Sequence, residues 1–180
     1  ILFTTQANDC VADMIIEAII EKKEAKVSLF TQLAALNSND TVLATNTSSI
    51  PVSEIAAAIP HPERVVGMHF FNPAPLMKLV EVIQGNATSA EVMQQTINIS
   101  KQMGKVPVVC KDAPGFIVNR VARHYYLEAM QLVEKEQMDF AVIDTVMEAS
   151  GFKMGPFKLM DLIGMDINFG VSNIVWEALG

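Results

Sequence analysis

The sequence predicts an α/β fold in two parts: an open, mainly parallel sheet covered by helices, followed by an all-helical region. Short apolar runs rich in β-branched residues alternate with amphipathic segments as far as about residue 111. Beyond that point the strand-type runs stop, and apolar residues recur only at helical spacing. A length of 180 residues suits one ordinary domain or two small ones. We therefore place a domain boundary there, with domains at residues 1–111 and 112–180.

In the first part, the turn residues between apolar runs separate strands from helices. The helix at residues 22–36 is predicted from apolar residues at Ala25, Leu29, Leu33 and Leu36. A later helix begins at a capping-box pattern with Thr88 as its N-cap, and Gly104 ends it after residue 103. Strands are predicted at residues 11–20, 41–45, 65–71, 79–83 and 106–109, with a further short helix at 51–59.

The second part reads as four helices joined by short turns. Pro156 suits the first turn of a helix, and Gly151 suits the end of the helix before it. The predicted helices lie at residues 116–136, 140–149, 157–163 and 166–179.

Composition and charge narrow the classes of function. The chain is 51% hydrophobic and 18% charged, which is typical of a globular protein. No apolar run approaches the ~20 residues of a membrane span, and no signal peptide is recognisable. A net charge of -7 argues against nucleic acid as a partner. Two cysteines, Cys10 and Cys110, suit reduced thiols in the cytoplasm. The chain does not begin with Met, from which we expect a fragment of a longer protein.

The stretch between residues 64 and 85 carries the clearest chemical signal. Its two strands flank a break at residues 72–75 that contains two prolines, so we expect the chain to turn and return. The return would set His69 beside Glu81. A carboxylate that accepts a hydrogen bond from one imidazole nitrogen orients the ring and favours protonation of the other, which makes a general base. The alternative is a half-buried histidine with a surface glutamate.

Polar residues follow three successive predicted strands. Glu21 comes after the first, residues 46–49 after the second, and His69 with Asn72 after the third. Open α/β sheets bind ligands at the carboxyl ends of their strands. This pattern indicates a ligand site at that edge of the sheet.

Four segments in order resemble the L-3-hydroxyacyl-CoA dehydrogenases, and in particular the short bacterial 3-hydroxybutyryl-CoA dehydrogenases. The resemblance covers essentially the whole chain. It implies a partial Rossmann-like sheet followed by a helical domain that binds substrate and forms a homodimer. The segments are TNTSSI at 45–50, HFFNPAPLMKLVEVI at 69–83, KDAPGFIVNR at 111–120 and GPFKLMDLIGMD at 155–166.

The resemblance implies interconversion of (S)-3-hydroxyacyl-CoA and 3-oxoacyl-CoA with NAD, or with NADP. The matching positions make His69 the general base and Glu81 the residue that orients it. Ser48 and Asn119 would hydrogen-bond the oxygens of the substrate. Without the resemblance, Ser48 reads as a turn or cap residue and Asn119 as a polar residue on a helix face.

The cofactor contacts implied by the resemblance are Glu21, Lys26, Ser48 and Asn72. Glu21 and Lys26 would otherwise be charges on the solvated face of a first helical turn. No metal ion is expected. Basic residues are candidates for the phosphates of coenzyme A without a motif to support them, since such charges usually face solvent: Lys78, Lys105, Lys111, Arg120 and Arg123.

The sequence departs from the family at its start. No G-x-G-x-x-G turn, which would bind the cofactor pyrophosphate, occurs in the 180 residues, and the first glycine is Gly67. We therefore expect these residues alone to bind NAD weakly and to turn over slowly or not at all. Two alternatives stay open: a crystallin-like sugar-acid dehydrogenase without CoA, and a non-catalytic helical dimerisation module.

Overall fold

The computed structural model describes residues 2–179. The chain divides into two compact units, Ile1–Phe116 and Ile117–Gly180. The first holds a five-stranded sheet with helices on both faces, and the second consists of helices.

The sheet unit has its strands side by side in chain order. The first three strands are parallel, the third and fourth are antiparallel, and the fourth and fifth are parallel. The predicted mainly parallel sheet is confirmed, with one antiparallel pair at the proline-containing break. The first strand is shorter than predicted because only four residues pair with the second strand. The strands are β1 (Met14–Glu17), β2 (Val42–Thr45), β3 (Val65–Phe70), β4 (Leu79–Gln84) and β5 (Val106–Lys111).

Helices cover both faces of this sheet and build two apolar clusters. One face carries α1 (Lys23–Leu36) and α2 (Val52–Ala56), whose Phe30 and Ile55 pack with Leu43 of β2. The other face carries α3 (Ala90–Gln102), whose Met93 packs with Met68 of β3. The buried residues of α1 are Lys26, Phe30, Leu33 and Ala34, which share only Leu33 with the predicted apolar face.

The predicted cap of α3 is wrong by one residue. The N-cap is Ser89, whose Oγ accepts a hydrogen bond from the Val92 amide at 3.2 Å. Thr88 is buried in the turn before it, where its hydroxyl donates to the Val65 carbonyl at 2.6 Å and accepts from the Gly85 amide at 3.0 Å. The hydroxyl is therefore already committed to the sheet and cannot cap the helix. The predicted stop at the other end is confirmed, because Gly104 follows α3 with a φ of 74°.

Close packing fixes β3 against α2. A Cβ on Gly67 would lie 2.7 Å from Ile83 Cβ and 2.8 Å from Val52 Cγ2, so no larger residue fits between these elements. The start of α2 is held by Asp112, whose carboxylate accepts hydrogen bonds from the amides of Val52 and Ser53 at 2.9 and 2.7 Å. These contacts fix the strand that carries His69.

The second unit contains the four predicted helices. Asp144 of the second of them is buried, and its carboxylate accepts hydrogen bonds from the amides of Phe157 and Lys158 at the start of the third. In residues 2–179, no helix has the length and apolar character needed to cross a bilayer. The helices are α4 (Val118–Glu136), α5 (Phe140–Ala149), α6 (Pro156–Ile163) and α7 (Met165–Leu179).

Candidate active site

The antiparallel pairing of β3 with β4 sets His69 directly opposite Glu81. Opposed residues of an antiparallel pair project from the same face of the sheet. The imidazole Nδ1 lies 2.8 Å from Glu81 Oε2, and the two residues are only 5% and 1% exposed. The predicted contact is therefore present, and the alternative with a surface glutamate is wrong.

Aromatic side chains surround the histidine. Its ring centroid lies 4.6 Å from that of Phe71 and 5.8 Å from that of Phe116. Because Glu81 holds Nδ1, Nε2 is the nitrogen available to exchange a proton with a ligand. Apolar walls lower the local dielectric constant, which strengthens the attraction between an imidazolium and the carboxylate.

The buried surroundings of the His69–Glu81 pair also affect the pKa of the Cys110 thiol. Cys110 lies in β5 opposite Ile83 of β4, and its side chain is buried. Burial raises the pKa of this thiol to about 12, with added contributions from the negative charges of Glu81 and Asp112. Cys110 is therefore a neutral thiol beside the pair and not a nucleophile.

The carboxylate of Glu21 organises the loop that carries Ser48. Its Oε1 accepts hydrogen bonds from Thr47 Oγ1 at 2.6 Å, from the Ser48 amide at 2.8 Å and from the Ser49 amide at 3.0 Å. Burial raises the pKa of Glu21, but the hydrogen bonds from Thr47, the Ser48 amide and Lys26, together with the charge of Lys26, outweigh burial, so the pKa lies below its ordinary value. The anionic form of Glu21 is the form that holds this loop.

Lys26 is fully buried between two carboxylates. Its Nζ lies 2.7 Å from Glu17 Oε1 and 3.3 Å from Glu21 Oε2. Glu17 in turn accepts a hydrogen bond from the Thr45 hydroxyl at 2.7 Å. The reading of Lys26 as a solvated helix charge is therefore wrong. The side chain joins the first helix to the ends of the first two strands.

Asn46 connects this network to the histidine strand. Its Oδ1 accepts a hydrogen bond from the amide of Phe70, the residue next to His69, at 2.8 Å. Sequence reasoning named residues 46–49 as strand-end polar groups but missed Glu17. The signal for Glu17 was an acidic residue inside an apolar run, which needs a buried partner.

The remaining predicted site residues are Asn72, in the sheet unit, and Asn119, in the helical unit. Asn72 is exposed, two residues after β3. Asn119 lies in the first turn of α4 in the helical unit, and its backbone oxygen accepts a hydrogen bond from Arg123 Nε at 3.0 Å. A cavity of about 600 Å³ inside the helical unit is walled by Met130, Phe140 and other side chains, and none of the predicted site residues lines it.

The basic residues considered for coenzyme A phosphates differ in surroundings. Lys78, Lys111 and Arg120 are exposed. Lys105 donates hydrogen bonds to the backbone oxygens of residues 74 and 77. Arg123 is only 6% exposed, so a solvent-facing interpretation of this arginine is wrong.

The strand-end residues suit part of a dinucleotide cofactor. Asn72 is exposed and Ser48 is half-buried, so an amide and a hydroxyl lie near the surface beyond the ends of β3 and β2. Such groups can hydrogen-bond the polar groups of NAD. Lys26 has no exposed surface and fits a supporting role behind Glu21.

The lowered pKa of Glu21 predicts a pH-dependent stability. This carboxylate contributes stability that is present above its unfolded pKa and is lost as the pH falls through its lower folded value. We expect Glu21→Gln to lower the free energy of unfolding at neutral pH by ~1 kcal/mol, with a smaller difference in acid. Thermal unfolding at a series of pH values measures this, with Glu24→Gln, an exposed carboxylate in the first turn of α1, as the control. A difference that does not depend on pH would contradict the role of the anionic form.

Comparison with known proteins agrees with this geometry. Residues 1–113 match the family model described as "3-hydroxyacyl-CoA dehydrogenase, NAD binding domain", and residues 115–180 match "3-hydroxyacyl-CoA dehydrogenase, C-terminal domain". The chain is 53% identical over 168 residues to a 3-hydroxyadipyl-CoA dehydrogenase of Escherichia coli K12, and the aligned region covers 93% of this chain and 35% of that protein. It is 44% identical over 155 residues to the mitochondrial hydroxyacyl-coenzyme A dehydrogenase of Sus scrofa, and the aligned region covers 86% of this chain and 49% of that protein.

Solved structures give the same result. The chain superposes on a 3-hydroxybutyryl-CoA dehydrogenase from Escherichia coli K12 with a TM-score of 0.89 and 53% identity, covering 93% of this chain and 36% of that one. For an (S)-3-hydroxybutyryl-CoA dehydrogenase from Ralstonia eutropha the TM-score is 0.93 at 34% identity, covering 97% and 62%. The chain thus spans 35% to 49% of the two sequence relatives named above. Since the NAD-binding-domain model alone accounts for residues 1–113, the larger part of the sequence, the chain belongs to the 3-hydroxyacyl-CoA dehydrogenase family.

Proposed function

We propose that the protein containing these residues interconverts (S)-3-hydroxyacyl-CoA and 3-oxoacyl-CoA with NAD, or with NADP, and that His69 is its general base. The observation that carries the proposal is the buried hydrogen bond of 2.8 Å between His69 and Glu81. This pair lies within a chain whose two parts both match the family. The relatives are named for 3-hydroxybutyryl-CoA and 3-hydroxyadipyl-CoA, so we propose a short-chain acyl-CoA substrate.

The proton chemistry follows from the orientation of the imidazole. In oxidation, the 3-hydroxyl of the substrate donates to Nε2 of His69, which takes the proton as the carbonyl forms. Glu81 accepts the hydrogen bond from Nδ1 and stabilises the imidazolium that results. When NAD is bound, its nicotinamide ring supplies the acceptor for the hydride that leaves C3. In reduction, His69 returns the proton to the oxygen.

Ser48 and Asn119 are proposed to hold the substrate oxygens. The Ser48 backbone is fixed by its amide hydrogen bond to Glu21, and Asn119 is fixed at its backbone oxygen by Arg123. Preformed polar groups of this kind lower the barrier because they need no reorganisation when charge develops on the oxygen.

For the cofactor, we propose contacts from Ser48, Asn72 and Glu21, with Lys26 behind Glu21. Glu21 is the carboxylate that aligns residues 47–49, so it can act on the cofactor through this loop as well as directly. Lys26 keeps Glu21 anionic through its charge, which lies 3.3 Å from Oε2.

The base is tested by His69→Ala in the complete gene product that contains these residues. We expect kcat on acetoacetyl-CoA to fall by at least ~10², because proton transfer loses its acceptor and donor. Glu81→Gln keeps a hydrogen-bonding side chain but removes the charge, and we expect a smaller fall. His124→Ala is the matched control, since His124 is exposed on α4 and its side chain lies 3.7 Å from Glu128.

Near-normal turnover in His69→Ala would remove His69 from its proposed role. Measuring gulonate beside acetoacetyl-CoA separates the proposed reaction from that of a sugar-acid dehydrogenase. Turnover of gulonate but not of acetoacetyl-CoA would show that the protein is a sugar-acid dehydrogenase.

The 180-residue chain by itself is proposed to bind NAD weakly. It contains no G-x-G-x-x-G turn, so a dinucleotide loses the backbone amides that would bind its pyrophosphate. We expect the isolated chain to show no saturation by NAD in the micromolar range and little or no turnover in calorimetric and kinetic titrations. A micromolar dissociation constant would contradict the proposal.

We also propose that the protein forms a homodimer through its helical unit. Large apolar side chains are exposed on several helices of that unit, including Val121, Phe140, Phe169 and Trp176. We expect sedimentation of the complete gene product to give the mass of two chains. Substituting Phe169 and Trp176 by Ser should shift it toward one chain, and an unchanged dimer would place the interface elsewhere.

A further inference from the structure

The helical unit contains a buried arginine, Arg123, that forms no ion pair with an acidic side chain of residues 2–179. Arg123 of α4 is 6% exposed, and in the described part of the chain no carboxylate lies within ion-pairing distance of it. Burial lowers its pKa, and the one group whose charge opposes this is the Tyr126 hydroxyl. A guanidinium removed from water is costly unless an anion or a full set of acceptors compensates it.

Neutral groups satisfy only part of this guanidinium. Nη1 donates to the backbone oxygen of Asn168 at 3.0 Å, to Asn168 Oδ1 at 2.6 Å and to Ser172 Oγ at 2.7 Å, and Nε donates to Asn119. All of these bonds come from Nε and Nη1. The carbon of the guanidinium lies 4.9 Å from the centroid of the Tyr126 ring, within the range of a cation–π contact. None of these bonds uses Nη2, so its two N–H groups can donate to a further acceptor.

A second donor beside the arginine, Nδ2 of Asn168, also lacks a partner in the described part of the chain. Asn168 of α7 is 4% exposed, and its Nδ2 has no hydrogen-bond acceptor within residues 2–179. Its Oδ1 is held by Arg123, so the amide nitrogen is fixed in orientation. The guanidinium of Arg123 and the side-chain amide nitrogen of Asn168 are held next to each other by a hydrogen bond. Hydrogen-bond donors of this kind suit the two oxygens of a carboxylate.

The position of Arg123 relates this site to the substrate. Arg123 lies one helical turn after Asn119, on the same side of α4, and is bonded to the Asn119 backbone. One turn advances the helix by ~6 Å, which is of the same order as the distance from C3 of an acyl chain to a carboxylate at the end of an adipyl chain. Asn119 is the residue proposed above to hold a substrate oxygen.

We infer that Arg123 and Asn168 bind a carboxylate at the far end of the acyl chain, so that the substrates include ω-carboxyacyl thioesters of coenzyme A. The inference rests on the function proposed above and narrows its substrate class. Arg123 is then a specificity-determining residue, since a neutral acyl chain of equal length leaves a buried cation unpaired and is disfavoured.

The test compares 3-hydroxyadipyl-CoA with 3-hydroxyhexanoyl-CoA, which differ only at the end of the acyl chain. In the complete gene product, we expect Arg123→Met to lower the ratio of kcat/KM for the carboxylate substrate to that for the neutral one by at least about tenfold. Arg120→Met is the matched control, because it removes the same charge from an exposed position on the same helix. Its ratio should stay at the wild-type value.

A second variant does not depend on the fold tolerating the loss of the arginine. Asn168→Asp is isosteric and sets a carboxylate beside Arg123, so it should raise the melting temperature and lower the same ratio. We also expect adipyl-CoA to raise the melting temperature of the wild-type protein more than hexanoyl-CoA does, and this extra shift should disappear in both variants.

Three results would overturn the inference. An unchanged ratio in both variants would mean that Arg123 is satisfied within the protein. An equal loss on both substrates, together with weaker binding of coenzyme A itself, would assign the arginine to the phosphates of the cosubstrate. A wild-type protein that oxidises neither thioester would refute the proposed function. In that case the thermal shifts with adipyl-CoA and hexanoyl-CoA still decide whether Arg123 binds the carboxylate.

Discussion

The register between β3 and β4 is the constraint on which the candidate active site depends. His69 and Glu81 meet because they are opposed residues of an antiparallel pair, and a slip of one residue would turn one of them to the opposite face. Gly67 opposes Ile83 two residues earlier on the same face, where Val52 of α2 leaves no room for a Cβ. The close packing of a helix on the sheet therefore fixes the same register that the chemistry needs.

A buried polar network holds the neighbouring strand ends. Lys26 is compensated by Glu17 and Glu21, and Glu21 is in turn the acceptor for the loop that contains Ser48. Removing one member of a buried ion pair costs ~3–5 kcal/mol, so the network is strongly constrained once formed. Its consequence is a loop with a fixed backbone beside a strand with a fixed histidine, which is the preorganisation that a catalytic site requires.

Lys26 and Arg123, two of the buried cations among the described residues, differ in how their charge is compensated. Lys26 has carboxylate oxygens at 2.7 and 3.3 Å, and its charge is neutralised inside the sheet unit. Arg123 has only neutral acceptors among the described residues, and Asn168 beside it keeps an unpaired amide. A buried cation that is paired with carboxylates of the same chain helps to hold the fold together. A buried cation with only neutral acceptors is stabilised further when an anionic ligand binds to it.

Local patterns in the sequence determined the order of the elements and the likeness to the dehydrogenase family. The proline-containing break between two β-prone runs predicted that the chain returns, which allows His69 to face Glu81, and the resemblance to the family favoured this pairing over a surface glutamate. Only the tertiary structure decided which charges are buried. Lys26 and Arg123 both read as solvated helix residues, and Thr88 read as a cap, because their partners are distant in sequence or belong to the sheet. Periodicity reports which face of an element is apolar, but the fate of a polar group depends on the acceptors that long-range packing brings to it.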